Sequence, residues 1–222
     1  MVVEKRTDLF WAVSAFLVLA TATCLSPTFG AEQPGVEHWA KILADGKLHS
    51  DARVEAARKL GEAKNVKSLD VLTDALNDGN KAIRWTAAEA LWELGDKRAL
   101  PALIKYLEKG EAYEWGKVVT MNALASFKDP QAVDPLIRVL ESQNPFLRRS
   151  AAVALFTIAD DRAIRPLIGL LKDEQGFIQR IAQNFLVEMT KDKMTGDTPG
   201  DYDEWMKWFQ SNSNRLKLDG AK

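Results

Sequence analysis

Cysteine and histidine are scarce in this 222-residue chain, which has one cysteine, Cys24, and two histidines, His38 and His49. Cys24 lies in a leader that we expect to be removed, so the mature chain has no thiol for a disulfide, a thiolate metal site or a covalent nucleophile. Two histidines outside any cluster of acidic residues give neither a catalytic triad nor a metal-ligand set. The sequence therefore predicts no catalytic residue, no cofactor and no metal site.

An excess of basic residues is also absent. Lysine and arginine total 30 against 31 acidic residues, and the formal net charge is -1. Proteins that bind nucleic acid without sequence preference normally carry a clear basic excess. We therefore expect a protein partner of unknown identity and no nucleic acid.

The N-terminal residues have the composition of a secretory leader. Lys5 and Arg6 precede an apolar run over residues 9–25, and small residues follow up to Ala31. This order is typical of a signal peptide over residues 1–30, cut before Ala31. The apolar run is short for a membrane span and contains polar residues, so a retained anchor is the less favoured alternative. The expected location is the periplasm or another exported compartment, with no membrane span after cleavage.

Leucines recur along the rest of the chain with a fixed step. One column is spaced by 31, 33, 31 and 31 residues, and a second by 31, 33 and 31. The first comprises Leu60, Leu91, Leu124, Leu155 and Leu186, and the second Leu76, Leu107, Leu140 and Leu171. Two columns with the same step and the same two-residue insertion indicate internal repeats.

Each repeat has the pattern of two amphipathic helices. In the second repeat, Ile83, Ala87 and Leu91 have helical spacing, Gly95 interrupts the pattern, and residues 100–107 begin a new apolar stripe. No alternating strand pattern competes with it. The sequence predicts an all-α protein, and helix pairs of this size must stack to bury their apolar faces.

These units resemble HEAT repeats of the type called PBS-lyase HEAT-like repeats. The matching residues are Arg84, the segment 87–91, the segment 94–96 and the segment 99–104. The resemblance implies a right-handed α-solenoid of stacked antiparallel helix pairs, an armadillo-type superhelix. It specifies function weakly. Phycobilin lyases act in the cytoplasm, so the expected leader argues against carrying their function over to this chain.

The register also predicts where the repeats begin and end. A linker and capping helix are expected over residues 31–49, and an aromatic capping helix with a tail over residues 191–222. The repeats fill residues 50–190. Their expected bounds are 50–79, 80–110, 111–144, 145–175 and 176–190.

Two polar columns accompany the leucines. Basic residues at the start of the first helices include Arg53, Arg84 and Arg148, and acidic residues in the turns within units include Asp96, Asp129 and Asp160. In HEAT-like arrays such residues resemble a structural ladder in which the base of one unit bonds acidic turns nearby. An anion-binding row is the alternative.

Partner-binding candidates come from the remaining basic and aromatic residues. Second helices usually line the concave surface of such arrays, where basic residues would meet an acidic partner. Aromatic residues are favoured anchors in interfaces. The basic candidates are Arg98, Lys105, Arg138 and Arg165, and the aromatic ones are Trp85, Tyr113 and Trp115. Trp92 is expected in the core instead.

The sequence alone favours an exported, non-enzymatic scaffold that mediates protein–protein interaction in the periplasm or cell envelope. Two alternatives stay open. One is an accessory subunit of an envelope or cofactor-modifying enzyme, and the other is a membrane-tethered structural protein. The sequence does not predict an oligomeric state.

Overall fold

The computed structural model describes residues 35–109, 114–194 and 196–216. The expected leader, the linker up to residue 34, Tyr113 and the last six residues lie outside these ranges. Within them the chain forms eleven α-helices joined by short 3-10 helices and turns, and no strand. The predicted all-α solenoid is confirmed.

First helices of the five units form one layer. They are α2 (Ser50–Glu62), α4 (Lys81–Leu94), α6 (Glu114–Phe127), α8 (Pro145–Ile158) and α10 (Gly176–Thr190). Each packs on the next, extensively from α2 to α8 and less between α8 and α10. Small residues permit this close approach, because Ala56, Ala87, Thr120 and Ala151 are fully buried. At Gly61 a Cβ atom would come within 2.8 Å of the Ala90 Cα atom, so α2 and α4 nearly touch there.

Second helices form the other layer and are shorter. They are α3 (Leu69–Ala75), α5 (Leu100–Glu108), α7 (Val133–Val139) and α9 (Ile164–Gly169). Each packs on the first helix of the following unit, whereas neighbouring second helices meet only slightly. Their leucines and isoleucines complete the core, with Leu72, Leu103, Leu136 and Leu167 fully buried.

Each end of the array carries one extra helix. At the N-terminus, α1 (Val36–Ala44) packs on α2 and buries Leu43. At the C-terminus, α11 (Tyr202–Asn212) packs on α9, in the place that another second helix would occupy. Trp205 is fully buried there, and its indole N–H donates to the Gln183 Oε1 atom at 2.8 Å. The terminal apolar faces are thus covered without a further repeat.

No helix in the described part of the chain is both long and apolar enough to cross a membrane.

Candidate functional site

The basic column at the start of the first helices binds the turns between units. The Arg53 Nε–H donates to the carbonyl oxygen of Leu43 at 2.9 Å, and its Nη2 atom lies 2.5 Å from the Asp78 carboxylate. Arg84 donates to the carbonyl oxygens of Asp78 and Gly79. Each guanidinium therefore donates hydrogen bonds to backbone carbonyl oxygens at a helix end or in a turn, which have no acceptor role within a helix.

Arg148 has the fullest set of such contacts. Its side chain is almost completely buried and donates to the carbonyl oxygens of Ser142 and Gln143. It also binds both carboxylate oxygens of Asp173, at 2.7 and 2.9 Å. Burial alone would raise the pKa of Asp173, but hydrogen bonds from Arg148 and from the Gln175 N–H outweigh it and hold that pKa below its usual value. We call this arrangement the Arg148 junction.

The acidic residues expected in the ladder cap helices instead of pairing with the basic column. Asp96, Asp129 and Asp160 each accept a hydrogen bond from the backbone N–H two residues later, at 2.9 to 3.0 Å. They cap the 3-10 helices that connect the two helices of one unit. The acidic partners of the basic column are instead Asp78 and Asp173, in the turns between units, because those turns lie beside the first-helix starts.

The third unit departs from this pattern. Lys117 stands where the first, second and fourth units have arginine, and Ser142 stands where the first and fourth have Asp78 and Asp173. The Ser142 hydroxyl still accepts from the Asn144 N–H, but it supplies no charge for Lys117. No ion pair of Lys117 with another described residue is found. We call this arrangement the Lys117 junction.

A groove of about 410 Å³ opens at the Lys117 junction. Its apolar lining comes from Leu107, Pro135, Val139 and Leu147, and its polar lining from Glu108, Lys117, Arg138, Glu141 and Ser142. This groove was not predicted from the sequence. The change from arginine to lysine in the basic column is a sign of it, whereas the turn position is not, because it is acidic in the first and fourth units only.

Two of the four expected basic candidates are already engaged. Arg98 pairs with Asp96 at 2.6 Å, and Arg138 pairs with Glu108 of the preceding unit. Lys105 and Arg165 are exposed, with no ion pair to another described residue. The four side chains therefore do not act as one free basic surface.

Two of the three aromatic candidates come together. Trp85, which is half-buried, and Trp115, which is 57% exposed, line a cleft of about 430 Å³ with Lys81 and Ala82. The expectation for Trp92 is wrong, since its side chain is 39% exposed. At the same register Phe156 stacks on Phe185, and the residue of the third unit that corresponds to Phe185 is Ala123, which is too small to cover an indole.

Catalytic groups are sparse in the described part of the chain. No group of three His, Cys, Asp or Glu residues there is placed to hold a metal ion. His49 accepts from the Asp51 N–H at the start of α2, and His38 stacks edge-on against Trp39. Outside the ion pairs, burial raises the pKa of Tyr106, and burial followed by the nearby Glu93 carboxylate raises the pKa of Glu89.

The sequence matches a known family of repeat proteins. A model of HEAT repeats matches residues 36–115 and 115–186, which is more than half of the chain. The chain belongs to the HEAT-repeat family. The PBS-lyase type of HEAT-like repeat predicted from the sequence agrees with its relatives, which are bilin biosynthesis proteins.

Two curated relatives are 31% identical to this chain over about half of their own length. Bilin biosynthesis protein RpcF of Synechococcus sp. (strain WH8020) is 31% identical over 103 residues, which are 46% of this chain and 48% of that protein. Bilin biosynthesis protein PecE of Mastigocladus laminosus is 31% identical over 147 residues, 63% of this chain and 52% of that protein. The chain spans about half the length of the curated relatives it matches.

Solved structures agree on the fold. The complex of CpcE and CpcF of phycocyanin lyase from Nostoc sp. PCC7120 contains a chain that superposes with a TM-score of 0.60 at 24% identity, over 77% of this chain and 71% of that chain. An engineered protein superposes with a TM-score of 0.51 at 21% identity, over 83% and 98%. At these identities the likeness establishes the solenoid only.

These relatives overturn the function expected from the sequence. A non-enzymatic exported scaffold was favoured, and lyase activity was set aside because of the leader. The expectation of a non-enzymatic scaffold is contradicted by these relatives, which are bilin biosynthesis proteins. The expectation failed because the repeats carry no catalytic motif, so the scarcity of cysteine and histidine was taken as evidence against an enzyme.

Proposed function

We propose that the protein is a subunit of a cofactor-modifying enzyme that handles a bilin or a similar open-chain tetrapyrrole. The observation that carries this proposal is the 31% identity to the bilin biosynthesis protein PecE over 147 residues, a stretch that spans several repeats. A second relative of the same kind, RpcF, supports it. Of the functions that the sequence leaves open, an accessory subunit of a cofactor-modifying enzyme is the one that agrees with these relatives.

A protein partner is part of the proposal. The structural neighbour from phycocyanin lyase is a complex of two chains, CpcE and CpcF. This chain has few groups suited to acid–base or covalent chemistry in its described part, which favours a division of labour between subunits. We propose that a second chain completes the reactive site.

The groove at the Lys117 junction is the best candidate for the tetrapyrrole. Its apolar lining suits pyrrole rings, and Lys117 and Arg138 offer cations to carboxylate side groups. Arg138 already pairs with Glu108, so Lys117 is the cation that a ligand carboxylate would reach without breaking an existing pair. The groove holds part of a tetrapyrrole, and the partner chain would cover the remainder.

Titration of the full chain with biliverdin, an open-chain tetrapyrrole with two propionate groups, tests this assignment. We expect a saturable change in the visible absorbance of the pigment. Lys117→Glu should weaken binding at least tenfold, because it places a carboxylate beside the ligand carboxylates. Lys105→Glu is the matched control, with the same charge change on an exposed second-helix position outside the groove lining.

Two results would contradict the proposal. Absence of saturable pigment binding by the full chain would remove the proposed function. Equal binding by the wild type and Lys117→Glu would leave the function standing but move the pigment away from this groove.

Location is a separate proposal. The expected leader over residues 1–30 would direct the mature chain out of the cytoplasm, so that the cofactor is modified in the envelope. Mass measurement of the protein purified from its native cells tests this, since a chain that begins at Ala31 supports export. A chain of full-length mass would contradict cleavage.

A further inference from the structure

Aromatic side chains occupy one register position in three successive units. The second residue of each first helix is Asp51, Ala82, Trp115, Phe146 or Phe177 from the first unit to the fifth. Trp115 is 57% exposed, Phe146 is 69% exposed and Phe177 is half-buried. Because Asp51 and Ala82 serve at the same position in the first two units, the packing of a repeat does not require an aromatic residue there.

Two arginines lie one helical turn further along. Arg149 and Arg180 follow Phe146 and Phe177 by three residues, so each pair shares one face of its helix. Both arginines are exposed, and no ion pair of either with another described residue is found. Arg148, the immediate neighbour of Arg149, is buried in its junction and uses its donors there. The hydrogen bonds of Arg148 therefore explain why this position is an arginine. The contacts of the described residues give no such reason for Arg149 and Arg180.

The cleft beside Trp115 shows how neighbouring units meet along this edge. Trp85, the fifth residue of α4, lines that cleft together with Trp115, the second residue of α6. The fifth position of one unit thus lies beside the second position of the next. By the same register, we expect Arg149 of α8 beside the position of Phe177 in α10. An apolar recess, two aromatic residues and two cations therefore follow one another along one edge.

We propose that this edge, defined by Trp85, Trp115, Phe146, Arg149, Phe177 and Arg180, binds an acidic segment of a protein partner. An apolar side chain of the segment enters the cleft between Trp85 and Trp115. Carboxylates of the segment pair with Arg149 and Arg180, which supply charge-assisted hydrogen bonds. The proposal does not rest on the pigment function, because this edge and the groove at Lys117 share no lining residue.

The spacing suits an extended segment. Packed helices are about 10 Å apart, so the two steps from Trp115 to Phe177 span about 20 Å. An extended chain covers this distance with about six or seven residues. A recess of about 430 Å³ fits a side chain better than a flat membrane surface.

Selection of displayed peptides tests the proposal. A library of random 12-residue peptides is panned against the immobilised full chain, and a selected peptide is synthesised with a fluorescent label. We expect selected sequences rich in Asp and Glu beside apolar residues. In anisotropy titrations the double variant Arg149→Glu/Arg180→Glu should weaken binding at least tenfold, and Trp115→Ala or Phe146→Ala at least threefold.

Control measurements separate binding at this edge from a general effect of charge. Arg165→Glu makes the same charge change at an exposed position outside the edge and should leave peptide affinity unchanged. A peptide whose carboxylates are replaced by lysines should bind the double variant better than the wild type. Circular dichroism checks that each variant is folded, and biliverdin titration of the double variant should match the wild type.

Several results would overturn the proposal. These are failure to select any peptide, selection of peptides without acidic residues, and affinities that the arginine variants do not change. Sedimentation with phosphatidylglycerol vesicles that Trp115→Ala and Phe146→Ala abolish would assign the edge to a membrane surface instead. A dimer in analytical ultracentrifugation that the arginine variants dissociate would assign it to a second copy of this chain.

Discussion

The Arg148 and Lys117 junctions occupy the same register position in adjacent units and differ in how they are closed. At the Arg148 junction a buried guanidinium joins the carbonyls of one turn to the carboxylate of the next. At the Lys117 junction both members of that pair are replaced, and a groove lies there instead. The backbone pattern of the repeat tolerates either arrangement. A repeat array can thus give up one structural contact and gain a candidate binding site.

Of the variants that test this comparison, removal of the Arg148 guanidinium should lower the free energy of unfolding most. Arg148→Ala leaves the Asp173 carboxylate, which is 4% exposed, without its cation and two carbonyl oxygens without a donor. Loss of one member of a buried ion pair costs about 3–5 kcal/mol of unfolding free energy. Urea denaturation followed by circular dichroism measures this. Arg149→Ala, at the exposed neighbouring position, should change the unfolding free energy by less than about 0.5 kcal/mol.

Acid should weaken the Arg148 junction selectively. The folded-state pKa of Asp173 is lowered, so its carboxylate stabilises the fold above the unfolded pKa of about 3.9, and that stability is lost as the pH falls through the folded value. Urea midpoints between about pH 7 and pH 2 measure this loss. Asp173→Asn should start with a lower midpoint and lose less of it on acidification. Parallel pH profiles for the two proteins would contradict the assignment.

Rebuilding the missing pair at the Lys117 junction should have a smaller effect. Lys117→Arg with Ser142→Asp copies the residues of the fourth unit into the third. A new charge-assisted hydrogen bond should add about 1 kcal/mol to the unfolding free energy. If the pair closes the groove, biliverdin affinity should fall as stability rises. A variant that is no more stable than the wild type would show that the missing residue pair does not account for the open junction.

The smallest effect is expected from truncation at the open junction. Lys117→Ala removes a partly exposed cation with no ion pair to another described residue, so the unfolding free energy should change by less than about 0.5 kcal/mol. Urea denaturation in parallel with Arg148→Ala makes the comparison direct. A loss as large as that of Arg148→Ala would mean that Lys117 has a structural partner of equal weight.

The leucine columns were sufficient to predict the fold. Residues such as Leu91 and Leu124 recur because every unit must bury the same stripe, so periodicity alone reveals the solenoid. The small-residue column is informative for the same reason, since close helix packing demands it in each unit. Features that every repeat needs leave a repeated trace in one sequence.

The ladder partners could not be predicted in this way. Asp96, Asp129 and Asp160 recur because each caps a local 3-10 turn, and their regularity suggested a pairing that the structure does not show. Asp78 and Asp173 are the carboxylates that meet Arg53 and Arg148, but they occur in two units only and form no column. Periodicity reports what is common to the units and is silent about contacts that only some of them make.

The exposure of Trp92 illustrates the same limit. A column of apolar residues at its position suggested burial, but the degree of burial depends on the size of the neighbour across the unit boundary. Phe156 in the equivalent position stacks on Phe185 at 4.2 Å, whereas the residue of the third unit that corresponds to Phe185 is Ala123. One column can therefore contain both a packed aromatic pair and a partly exposed indole.

The unequal packing of the two helix layers has a mechanical consequence. First helices press closely on one another from α2 to α10, while neighbouring second helices meet only slightly. A rotation between units would change the contacts between neighbouring second helices little, but it would disturb the packing of each second helix on the first helix of the following unit. The core therefore resists bending. The array should present a surface of nearly fixed curvature to a bound partner.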